Sequence, residues 1–282
     1  MKKIIITNLL LALIVSAALA QTKVKGRIVN ERGKGVEYVT IGLENDSIGV
    51  ISDSDGNFSI TVPQGRKGNL VFMHVSYQTA VVPFSSYGSG EVEVVMKDKV
   101  VQLAEVVVGK KNKKITLSGK SWITVGDCVE TGDLNSNKHS EIGPSFSNGK
   151  DCVLSDIQLG VKKCTFQSCT ISFNVYKMDG EKFENILNRP IYLKISPADN
   201  GQKKTVSLSE YIRLKAKQKY YVSICIVDVE GCGIAAFPLC AKGAYVRNAI
   251  GWIKHVPVCP EIVVKGYEAE WHTTDGTEAA ID

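Results

Sequence analysis

No cysteine occurs in the first 127 residues, and nowhere does the chain carry the C-x-x-C spacing. That absence removes a zinc ribbon and a thioredoxin-like redox pair, which need closely spaced thiols. Histidine is scarce: His74, His139, His255 and His272 lie in different segments, and no H-E-x-x-H joins two of them on a helix. His74 alternates with apolar neighbours and reads as a sheet residue, His272 lies near the end, and His139 with His255 is the one pair in the second half to weigh as a shared site. There is no G-x-S-x-G elbow. Gly119-Lys120-Ser121 looks like the end of a phosphate-binding loop, but the first glycine of that motif falls on Lys114, so the match fails. After the first twenty residues no run approaches the ~18 apolar residues of a spanning helix.

What is present at the start reads as an export signal. Lys2 and Lys3 form a basic n-region, an apolar stretch runs from Ile4 to Leu19, and Ala18-Leu19-Ala20 is a small-residue cleavage site. Residues 1–20 are therefore assigned as a signal peptide, and the protein is expected to be periplasmic or outer-membrane associated. Removing Lys2 and Lys3 leaves 32 basic residues, from 34, against 29 acidic ones. That balance is too mild for nucleic acid or an anionic membrane, and the charges are dispersed.

The eight cysteines, Cys128, Cys152, Cys164, Cys169, Cys225, Cys232, Cys240 and Cys259, form an even set in an exported chain and are expected to form disulfides. Four bridges allow about 105 connectivities, and the pairing is left open. Their confinement to the second half marks that half as a separate folding unit.

Turn signals cut the first half into short strands. Val24–Val29, Val36–Leu43, the pair Val50-Ile51, Phe58–Val62, Leu70–Tyr77, Thr79–Phe84 and Glu91–Lys97 read as seven strands without a helical period. Phe58, Ile60 and Val62 share one face, and Ser52-Asp53-Ser54-Asp55-Gly56-Asn57 is a polar turn ahead of them. Asp53, Asp55 and Asn57 have the i, i+2, i+4 oxygens of a calcium loop, but Phe58 and Gln64 stand where that loop needs Gly and Glu, so a plain turn is expected.

Val24-Lys25-Gly26-Arg27-Ile28-Val29, Gly35-Val36 leading to Val39-Thr40-Ile41, and Ser52 to Phe58 together resemble the carboxypeptidase regulatory-like domain, as does Phe72 to Thr79 with Ser76-Tyr77 in place of the common Gly-Tyr. Leu103-Ala104-Glu105-Val106-Val107-Val108 is similar to the segment that follows this domain in TonB-dependent outer-membrane receptors. The resemblance covers residues 21–108 and implies a transthyretin-like sandwich of about seven strands. In that family the module is non-catalytic, so the resemblance implies no peptidase activity. About 170 residues follow Val108, too few for a receptor plug and barrel.

Residues 109–114 read as a charged linker, 115–268 as a cysteine-rich sandwich, and 269–282 as a flexible polar tail. Ile171, Phe173 and Val175, then Ile191, Leu193 and Ile195, then Val222, Ile224 and Ile226 alternate on single faces. An all-β chain of two sandwich domains follows, the second jelly-roll-like. Val175-Tyr176, Asp179-Gly180 and Tyr220-Tyr221-Val222 loosely resemble galactose-binding-like jelly rolls. A glycan site needs exposed rings beside planar donors. Trp122, Tyr211 and Tyr245 with Arg213 and Arg247 are the candidates; Tyr220 and Trp252 read better as core, and Trp271 as tail. The expected function is a non-catalytic envelope protein acting as a binding or scaffold module, with no cofactor, and with an envelope protein or a glycan as partner. The alternatives are a glycan-binding accessory of an outer-membrane uptake system, and a hydrolase with a site in the second domain.

Overall fold

The computed structural model describes residues 22–88, 90–99, 114–119, 123–130, 140–248, 253–268, 271–274 and 277–280, the last two stretches as backbone. Residues 1–20, assigned above as a signal peptide, lie outside the described residues, as do Leu103–Val108, Trp122, His139, Trp252 and most of the linker.

The first module holds β1 (Thr22–Asn30), β2 (Thr40–Leu43), β3 (Gly49–Ile51), β4 (Asn57–Val62), β5 (Leu70–Met73), β6 (Ala80–Val82), the one-turn helix α1 (Phe84–Tyr87) and β7 (Glu91–Met96). Two sheets, β4-β1-β7 and β3-β2-β5-β6, make a seven-stranded sandwich. Phe58, Ile60 and Val62 point inward with Val24, Ile28, Ile41 and Phe72, while Ser59 is exposed, so alternation sets the face as expected.

Three strands are shorter than expected: β6 covers only Ala80–Val82, with Phe84 taken into α1, and β2 and β5 are cut short for local reasons. Tyr38 has φ 51°, a left-handed conformation uncommon for a bulky residue, and the extended backbone of β2 begins only after it. His74 accepts the amide of Ser76 at Nδ1 (3.2 Å), and its carbonyl accepts the amide of Tyr77, so residues 74–77 turn instead of prolonging β5. In the Asp53 turn, Oδ1 accepts the amides of Asp55 (2.9 Å) and Asn57 (2.8 Å), and Oδ2 accepts the Asn57 side chain at 3.0 Å. This carboxylate is occupied by its own turn. Gly56, at φ 82°, closes the turn where an added Cβ would lie 2.3 Å from the Ile28 carbonyl.

The second module comprises β8 (Ile115–Ser118), β9 (Thr124–Glu130), β10 (Ser140–Gly143), β11 (Ser145–Ser147), β12 (Cys152–Gly160), β13 (Lys163–Cys164), β14 (Ser168–Asp179), β15 (Lys182–Asn185), β16 (Ile191–Ile195), β17 (Lys203–Leu214), β18 (Lys219–Glu230), β19 (Ala235–Cys240), β20 (Ala244–Asn248), β21 (Ile253–Val256), β22 (Cys259–Pro260) and β23 (Ile262–Glu268). The larger sheet runs β15-β14-β18-β10-β20-β21, with β16 on β14 and β11 on β18. It packs on the sheet β17-β12-β23-β8 through Ile171, Phe173, Val222 and Ile224 on one side and Leu154, Ile157 and Val264 on the other. This core shares no residue with that of the first module, although Val75 packs against it. Lys114, assigned to the linker, is fixed to the second module by an ion pair with Asp156 (2.6 Å). Within residues 269–282, β24 (Trp271–Thr274) and β25 (Thr277–Ala280) pair antiparallel.

The disulfide expectation is corrected: none of Cys128, Cys152, Cys164, Cys169, Cys225, Cys232, Cys240 and Cys259 forms a bridge, even though Cys240 and Cys259 stand opposite each other on β19 and β22. Five of them (Cys152, Cys164, Cys169, Cys240 and Cys259) are buried, and thiols behave there as small apolar side chains. Burial pushes the thiols of Cys169 and Cys259 up to about 12 and that of Cys152 to about 11, which keeps them protonated and unreactive. Exposed Cys232 is therefore expected to react first with a thiol reagent on the native protein, the buried ones only after unfolding. Oxidised protein two daltons lighter per cysteine pair, with no thiol released on denaturation, contradicts this.

Candidate binding site at the junction of the sandwiches

The outer face of the larger sheet carries the polar half of the β14 alternation. Ser172, Asn174 and Tyr176 point away from the core that holds Ile171, Phe173 and Val175. Next to them Glu141 of β10 is buried, 5% exposed, and pairs with Arg247 of β20, 8% exposed. Asn174 (3.1 Å), Tyr176 (3.2 Å) and Ser223 (2.6 Å) all donate to Glu141 Oε2. The Arg247 guanidinium lies 4.5 Å from the centre of the Tyr176 ring and 5.3 Å from that of Phe183. Burial opposes the Arg247 charge, but the Glu141 carboxylate more than offsets it and holds the guanidinium more firmly protonated than usual. Burial, then the Glu141 charge, raises the Tyr176 phenol well above its ordinary value.

The first module covers this face. Tyr38 donates to Asp228 (3.2 Å), and its ring meets Tyr192 edge-on with centroids 5.3 Å apart. Ser76 donates to the Asn188 carbonyl at 3.4 Å. Burial, then Asp228, pushes the Tyr38 phenol up to about 12. Between the modules lies a cavity of about 450 Å³. Its wall includes Tyr38, Tyr192, Tyr176 and Phe183 as rings, and Asn174, Asn185, Gln78 and His74 as polar groups.

His74 contributes a specific feature. Its Nδ1 accepts the Ser76 amide, which assigns the ring proton to Nε2, and that buried nitrogen has no partner. Burial lowers the imidazole to about 4, so it is neutral at pH 7. A neutral buried donor beside a polar cavity suits an acceptor oxygen on a ligand.

The five candidates from sequence do not converge. Arg247 is in the cavity wall but is committed to Glu141. Tyr245 stands behind it, with ring neighbours Phe183, Tyr221 and His255. Tyr211 and Arg213 instead line a separate groove of about 870 Å³ between β16 and β17. Trp122 lies outside the described residues. Residues that sequence reading missed (Tyr38, His74, Glu141, Asn174 and Tyr192) come from five distant stretches, and only the polar alternation of β14 signalled any of them. Tyr220 is core as expected, 3% exposed.

Comparison with known proteins agrees with the first module. Residues 24–108 match the family model described as CarboxypepD_reg-like domain. The first sandwich is a CarboxypepD_reg-like domain. The chain is also 32% identical over 89 residues to TonB-dependent receptor P39 of Formosa agariphila, covering 32% of this chain and 8% of the receptor. The shared piece is thus less than a tenth of that relative's length. A putative carbohydrate binding protein from Bacteroides uniformis shows 10% identity, with 86% of this chain and 97% of that one covered, at a TM-score of 0.19. Carbohydrate-binding modules of the β-sandwich super family give 10% identity, 85% and 99% coverage and a TM-score of 0.22. Scores this low establish no shared fold.

The His74 environment predicts a pH effect. In the unfolded chain the imidazole protonates near its ordinary 6.5, and in the folded CarboxypepD_reg-like domain only near 4. The unfolded state therefore binds the proton first, and stability is lost as pH falls through that window, by on the order of 3 kcal/mol. Denaturant unfolding at pH 7 and pH 4 is expected to show this loss shrinking in His74→Gln. A difference between wild type and variant that does not change with pH contradicts it.

Proposed function

We propose that the protein is an exported, non-catalytic binding module of the cell envelope, and that the junction cavity holds a sugar unit. The observation that carries this reading is the cavity wall. It sets aromatic rings beside planar amides and an unpartnered imidazole donor, the combination that receives the apolar face and the hydroxyls of a pyranose. A non-catalytic role is supported by the state of the buried titratable groups there. Glu141 is held by Arg247, burial lowers His74 to about 4 and so makes it a weak base, and burial raises both Tyr176 and the Cys225 thiol away from reactive forms. The export signal and the likeness of residues 24–108 to part of an outer-membrane receptor support the envelope location.

A protein partner is the second reading, favoured by β9. Among the described strands it pairs only with β19, and the chain there exposes Ile123 (62%), Val125 (53%) and Val129 (50%).

Calorimetric titration of the mature protein with the glycans that score on an array tests the first reading. Ser172→Phe, which fills the cavity from β14, is expected to weaken binding at least tenfold while leaving the unfolding midpoint within a few degrees. Glycan binding unaffected by this folded variant, or no glycan bound at all, overturns the cavity reading; capture of an envelope protein that Val129→Lys abolishes then supports the second.

A further inference from the structure

The junction cavity and the groove share two wall residues, Pro190 and Tyr192. The groove exists because β16 and β17 are outer strands of opposite sheets: among the described strands β16 pairs with β14 alone and β17 with β12 alone. The seam between them stays open over Ile191, Val206, Leu208 and Ile212.

One irregularity shapes the groove further. On β17, Ile212 pairs with Leu154 and Ser207 with Asp156, so Leu208–Tyr211 stand opposite Ser155 alone. This large bulge carries Tyr211, 41% exposed, with its ring edge against Tyr267. Bulges re-aim side chains and often sit at binding sites.

The two spaces differ in charge. In the cavity Arg247 and Lys99 face Glu141 and Glu184, a balanced set with His74 neutral. The groove is lined by Lys177, Arg189, Arg213 and Lys215 against the single carboxylate of Glu210, which pairs with Arg189 at 3.4 Å.

We infer that the cavity and the groove are two parts of one track for an anionic oligosaccharide: an uncharged sugar unit lies in the cavity, the chain passes over Pro190 and Tyr192, and carboxylated or sulfated units lie in the groove with Tyr211 as a platform. This rests on the sugar reading of the cavity and adds the charge of the ligand and its path. The cationic rim supplies the preference for anions, which salt weakens because the rim is solvent-facing.

Affinity electrophoresis of the mature protein through gels holding one polysaccharide each tests this. Polygalacturonate is set against its methyl ester and dextran sulfate against dextran, which separates carboxylate from sulfate, with laminarin and xylan as further neutral chains. Wild type is expected to be retarded by at least one anionic member of a pair more than by its neutral counterpart, and less so in 0.5 M salt. The triple variant Lys177→Gln, Arg213→Gln, Lys215→Gln is expected to lose that preference, with apparent affinity falling roughly tenfold. The control variant Lys23→Gln, Lys25→Gln, Lys254→Gln, with the same change in net charge, is expected to keep it. Equal loss in both triple variants, or retention of the preference in both, overturns the groove. Retardation by neutral chains alone overturns the groove and leaves the cavity reading standing; retardation by none overturns both.

Discussion

The buried ion pair of Glu141 with Arg247 is the constraint on which the site depends. Taking two charges out of water costs several kcal/mol per ion, and their attraction offsets that only when the remaining hydrogen-bonding capacity is filled. Here it is filled from three directions: Asn174 and Tyr176 on β14 and Ser223 on β18 donate to the carboxylate, and Tyr176 and Phe183 flank the guanidinium. The pair therefore ties β10, β14, β18 and β20 together on the face turned away from the core. A wall held this way presents its amides and rings in fixed positions, which lowers the ordering cost of binding.

The first module covers that wall. Its contact with the wall comes from two irregular stretches: the one around Tyr38, in a left-handed conformation, and the turn from His74 to Tyr77. These same stretches leave the strands of the sandwich core, so the module keeps its packing while offering side chains at its edge. The gap left between the two surfaces has polar groups in its wall, and a polar gap of about 450 Å³ has room for water or a small polar ligand.

The first sandwich was legible in the sequence because its strands are half-buried and alternate, as at Phe58, Ile60 and Val62, and because the Asp53 turn satisfies itself locally. Its ends were not legible. Tyr38 and His74 sit in apolar, alternating surroundings, and what removes them from their strands is a backbone angle in one case and a local turn in the other. In the second sandwich the alternation of Ile171, Phe173 and Val175 located the core, and the opposite face of the same strand, Ser172, Asn174 and Tyr176, held the site. Even count and export pointed to disulfides, yet burial alone accounts for most of the cysteines, since spacing along a chain cannot tell a bridge from a buried thiol. Arg247 was found as a donor but not as half of an ion pair, because its partner Glu141 lies 106 positions away.

A ligand held in the junction cavity would touch both modules. Amide hydrogen exchange of the mature protein, with and without a saturating bound oligosaccharide, tests this most directly. Added protection is expected on both sides of the junction together, at residues 38–40 and 74–78 of the first module and 172–176 and 183–192 of the second. Protection confined to one module, or to loops away from the junction, contradicts it.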